Sequence, residues 1–129
     1  YFSFIKFFFS NIGTVDFSMS NLVVKKWLLQ RITAVILVPL LLWFLYIFVG
    51  LVQKDYQSII VFFRNDINFI LSIIFLIIVF LHMKLGMGEI FEDYIQDERY
   101  KSVANLIISP LATILPLITI VSLILIKIN

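Results

Sequence analysis

The chain has 129 residues, of which 62% are hydrophobic and only 14% charged, and its mean hydropathy is +1.09. Soluble domains are about half apolar and about a quarter charged, so this composition is that of an integral membrane protein. Having no cysteine, the chain offers no disulfide, thiolate or iron–sulfur ligand; its single histidine cannot build a multi-histidine metal site, and its scattered net charge of +2 is no footprint for nucleic acid.

Taken in order, residues 1–21 are Phe-rich. Their apolar part, Phe2 to Phe9, is interrupted by Lys6 and too short to span a bilayer. No small-residue cleavage site follows, so a segment lying at the interface or packing on a partner is expected. Ser20 or Asn21 is placed to cap a helix starting at Leu22. Lys25, Lys26, Trp27 and Arg31 then mark a membrane boundary, with cations beside phosphates and an indole at headgroup depth.

The first spanning helix is expected over about 22–52. Its stretch from Ile32 to Val52 has no charge, and Pro39 is expected to kink it. Lys54, Asp55, Arg64 and Asp66 bracket a short polar connection. A second span, about 66–91, carries His82, Lys84 and Glu89 in its last third. The most charged region, Glu92 to Ser102, precedes a third span of about 103–127 that contains Pro110 and Pro116. Residues 1–129 therefore read as a single all-α domain, three transmembrane helices forming part of a hetero-oligomeric bundle.

Seven of the ten Lys and Arg residues (Lys6, Lys25, Lys26, Arg31, Lys84, Arg99 and Lys101) fall on the side of the N-terminus and the second loop. Lys54, Arg64 and Lys127 fall on the other. Cytoplasmic loops concentrate lysine and arginine, which puts the N-terminus on the cytoplasmic or matrix side.

The stretch HMKLGMGEIFEDY, from His82 to Tyr94, holds the candidate chemistry. On a helix, Gly86, Glu89 and Asp93 lie within about 40° of His82, whereas Tyr94 lies about 100° from Asp93, off that stripe. An ionisable side chain inside a membrane helix is costly and points to function. For His82 three roles are open: a hydrogen bond that joins helices, a proton relay with Glu89 and Asp93, or axial ligation of haem iron. Gly86 would leave room for a macrocycle. Arg31 is either a boundary arginine or a bidentate donor to a haem propionate. Tyr94 belongs either to the interfacial aromatic belt or to a site where it donates to the carbonyl of a lipid-soluble substrate, with Asp93 beside it. Glu92, Asp97, Glu98, Arg99 and Lys101 read as a solvated or partner-contacting face.

Two stretches, WLLQRITAVILVPL from Trp27 and HMKLGMGEIFEDY from His82, closely resemble the family of hydrophobic membrane anchors of succinate dehydrogenase, respiratory complex II. The shared pattern is Arg31-x-Thr33-Ala34 entering the first helix, then His82, Gly86, Asp93 and Tyr94 in the second. The third helix matches only in hydrophobicity. The resemblance implies that His82 is one axial ligand of haem b, with the other supplied by a second membrane anchor of the same complex. It implies Arg31 near the propionates, and Tyr94 with Asp93 at the ubiquinone-reduction site. It also implies docking to the iron–sulfur and flavoprotein subunits, in a mitochondrial inner or bacterial cytoplasmic membrane. The chain would serve electron transfer from succinate without being a catalyst alone. The alternatives are an anchor of a fumarate reductase or another quinone-linked cytochrome b complex, and a small proton-relaying transport protein.

Overall fold

A computed structural model describes residues 17–129. Residues 1–16, most of the expected interfacial segment, lie outside the described residues. The described chain is helical: α1 (Phe17–Val52), α2 (Tyr56–Arg64), α3 (Asp66–Tyr94) and α4 (Glu98–Ile128). Three of these are long and apolar enough to cross a membrane: α1 from Asn21, α3 and α4. The protein is thus a multi-pass membrane protein. At 29 residues, the shortest of the three reaches about 44 Å, well beyond the roughly 30 Å of hydrocarbon. A helix of that length has turns to spare at the membrane–water boundary.

Two features differ from the sequence reading. Ser20 and Asn21 do not cap α1, because the helix already runs from Phe17 and both residues are inside it. The connection between the first two spans is itself a helix, α2, with Asn65 closing it and opening α3. The Asn65 side chain accepts from the backbone N–H groups of Ile67 and Asn68, at 3.1 and 3.4 Å, meeting donors that no earlier helical turn can meet. Asp97 does the same for α4, accepting from Arg99 N–H at 2.8 Å.

α3 is the centre of the bundle: it packs along both α1 and α4, while these two scarcely touch each other. Phe75 of α3 is buried and stacks on Phe44 of α1 with ring centroids 4.5 Å apart; Ala112, Pro116 and Leu123 of α4 are buried as well. Most other large apolar side chains face outward, Val35 at 74% and Val49 at 66% exposure among them. In water such a surface would aggregate; in a bilayer it meets lipid or further helices.

The two ends of the bundle are tied differently. At the Asp66 end, Lys127 of α4 pairs with Asp66 and donates to Arg64 O, and Arg64 Nε donates to Ile126 O at 3.2 Å. At the Tyr94 end, Lys101 of α4 bonds both Glu92 of α3, at 3.2 Å, and Glu98, at 3.1 Å. An apolar cleft lined by Trp43, Phe44, Phe48, Phe62 and Phe63 lies at the Asp66 end, away from His82.

Candidate functional site

α1 and α3 run antiparallel, and their register builds the inner half of the site. Gln30 lies beside Gly86, Thr33 beside His82, and Phe44 against Phe75. Thr33 is 2% exposed, the most deeply buried side chain among the described residues, although it is polar. A hydroxyl in that position must be hydrogen-bonded or it costs stability. Its Oγ1 lies 2.9 Å from Leu29 O, 3.0 Å from Gln30 O and 2.9 Å from His82 Nδ1. The single histidine is thus half-buried against α1 and held across the helix contact through one ring nitrogen.

Gly86 lies one turn on from His82, and the structure gives its missing side chain a different use from the one expected. A Cβ at Gly86 would meet Gln30 Nε2 at 3.1 Å. The space is filled from within the chain by the Gln30 amide, which lets α1 and α3 close at this level. Gln30 Oε1 is buried there without a hydrogen-bond partner among the described residues, an acceptor left for a donor from elsewhere.

The remaining sequence candidates stand apart from this pair. Arg31 is exposed and lies about 160° around α1 from Thr33; its guanidinium covers the Trp27 ring at 5.3 Å. Asp93 and Tyr94 end α3, both exposed, Tyr94 at 82%. They are eleven and twelve residues beyond His82, about 17 Å along the helix axis. Glu89 is exposed as well, and the hydrogen bond of His82 runs sideways to α1 rather than along α3 towards it. The charged face is more ordered than a solvated loop: Asp97 caps α4, and Lys101, its side chain only 14% exposed, clips α4 to the last turns of α3.

Gln30 and Thr33 are the residues that sequence reasoning passes over. Thr33 enters there only as a letter of Arg-x-Thr-Ala, and Gln30 has no part. The available signal was their spacing: two polar residues three apart share one helix face, turned away from Arg31 between them.

Among the described residues no three metal-ligating side chains gather. Any metal bound through His82 would take one ligand from this chain, and an imidazole held at one nitrogen still offers the other. That single imidazole donor fits haem iron, which a histidine nitrogen can hold.

A model of the succinate dehydrogenase/fumarate reductase transmembrane subunit family matches residues 16–124, a range that takes in every residue of this site. The chain belongs to this family. It is 41% identical over 76 residues to a succinate dehydrogenase hydrophobic membrane anchor subunit of Rickettsia bellii, covering 59% of this chain and 61% of that one. To the protein of the same name from Rickettsia prowazekii it is 32% identical over 82 residues, covering 64% and 66%. The chain thus spans somewhat under two thirds of the length of these curated relatives. No solved structure matches it. For a transmembrane member of this family the exposed apolar faces of α1 and α4 suit a bilayer, where they meet lipid or further helices.

Proposed function

We propose that this chain anchors a succinate dehydrogenase in the inner membrane, provides one axial ligand to haem b through His82, and contributes to ubiquinone reduction through Tyr94 and Asp93. The observation that carries the reading is the position of His82: the one histidine of the chain, in the membrane part of α3, already held at Nδ1 and therefore with a second nitrogen to give. A second membrane anchor supplies the opposite ligand. Haem, when bound, supplies a one-electron relay within the membrane. Arg31, at the same end of α1 as the lysines, contributes positive charge towards the propionates if it leaves Trp27.

The quinone half uses the end of α3. Tyr94 donates its hydroxyl hydrogen to a quinone carbonyl oxygen, which polarises that oxygen as electrons arrive, and Asp93 supplies or tunes a proton beside it. Its exposure supports a pocket closed by other subunits: a tyrosine that faces outward has its hydroxyl available to them. The iron–sulfur and flavoprotein subunits dock on the same side. The lysine and arginine distribution supports that side being the cytoplasm or the matrix. The family match supports this reading over a proton-relaying transport protein.

The test is the absorption spectrum of the purified complex. A low-spin b-type Soret band that disappears in His82→Ala, with the subunits still assembled, supports ligation. An unchanged band removes it.

A further inference from the structure

We infer that Thr33 is a positioning residue that fixes the tautomer of His82, putting the ring proton on Nδ1 and leaving Nε2 as the base that faces the metal. The functional part of this inference rests on His82 being the haem ligand.

Hydrogen accounting sets the direction of the Thr33–His82 bond. A threonine hydroxyl has one hydrogen to donate and lone pairs with which to accept. Thr33 Oγ1 has three neighbours within bonding distance: the carbonyl oxygens of Leu29 and Gln30 and the Nδ1 of His82. The two carbonyls can only accept. Helical threonines routinely turn their hydroxyl back onto the carbonyl one turn before, so the hydrogen of Thr33 goes to Leu29 O or Gln30 O. What is left for His82 is a lone pair. The hydrogen in the Thr33–His82 bond must then come from the ring, so Nδ1 donates to Oγ1. In a neutral imidazole this strips Nε2 of its hydrogen.

The surroundings keep the lock in place. At 2% exposure Thr33 has no water with which to exchange this bond. The ring is tethered at two points, its own backbone on α3 and the Thr33 hydroxyl on α1. A histidine whose second nitrogen donates to a fixed acceptor is a stronger and better-aimed metal ligand, and loss of such a partner costs about tenfold to a hundredfold in affinity. The hydroxyl acts entirely through the imidazole.

The single histidine makes the test direct. Full-length chain labelled with 15N-histidine and placed in lipid bilayers gives two ring nitrogen signals, both belonging to His82. In the wild type the proton is expected on Nδ1. In Thr33→Val the proton moves to Nε2 or divides between the two nitrogens, and Thr33→Ser, which keeps the hydroxyl, restores Nδ1–H. A wild-type proton on Nε2 overturns the inference without recourse to any variant, and so does an unchanged tautomer in Thr33→Val. In the assembled complex, Thr33→Val is expected to weaken haem retention about tenfold, with Thr33→Ser close to wild type. A haem band that depends on His82 but not on the hydroxyl overturns the positioning role and leaves the ligand reading intact. A band indifferent to His82, with the tautomer still set by Thr33, removes the ligand reading and the functional part of this one, leaving only the lock.

Discussion

The two halves of the α3 stretch are built in opposite ways. The deep half, His82 with Thr33, Gln30 and Gly86, is assembled within this chain: each of those groups meets another across the α1–α3 contact. The boundary half, Asp93 with Tyr94, is presented rather than assembled, and the tyrosine touches little of its own chain. On the proposed reading His82 is an axial ligand, and a helix pair that holds its ring can aim it without help from another chain. On the same reading a quinone has to enter and leave at the boundary half, which suits a site to which this chain offers only one exposed wall. The Lys101 clip ties α4 to the last turns of α3, beside Asp93 and Tyr94.

This contrast can be broken at either end. The largest effect is expected from His82→Ala, with complete loss of the b-type band and no loss of membrane insertion, measured by difference spectra of membranes. Next is Tyr94→Phe, which keeps the ring and removes the hydroxyl. Quinone reduction should fall by about a hundredfold or more with haem content unchanged, read from turnover and haem per flavin in the same preparation. Lys101→Gln removes the cation that joins Glu92 to Glu98, and should speed proteolysis at the connection between α3 and α4 while haem is retained. The smallest effect belongs to Gly86→Ala. Its methyl would meet the flexible end of Gln30, so a loss of about 1 kcal/mol in the denaturant stability of the complex is expected, with the spectrum intact.

Much of the fold was legible because membrane helices advertise themselves. Long uncharged runs such as Ile32 to Val52 have no alternative in lipid, where every backbone group must be satisfied within the segment. The stripe from His82 to Asp93 was legible for the same reason, since local helical geometry alone places its members. The nine residues of α2 were not: its apolar run is short, and its ends, Asp55 and Arg64, look like the margins of a loop. Nor was the partner of His82. Thr33 is 49 residues away, and which residue of α1 meets the ring depends on the sliding register of two helices. That register is set by side-chain packing, including Gln30 in the space left by Gly86, and neither hydropathy nor charge encodes it. Gly86 itself was read as room for a macrocycle because its neighbour across the contact was unknown.

On the proposed reading, ligand and quinone functions are separable along one helix. This separation is tested most directly by measuring haem spectrum and quinone reductase turnover together in the purified complex for His82→Ala and Tyr94→Phe. His82→Ala is expected to lose the b-type band, and Tyr94→Phe to keep the band and lose turnover. A band that survives in His82→Ala, or normal turnover in Tyr94→Phe, would contradict it.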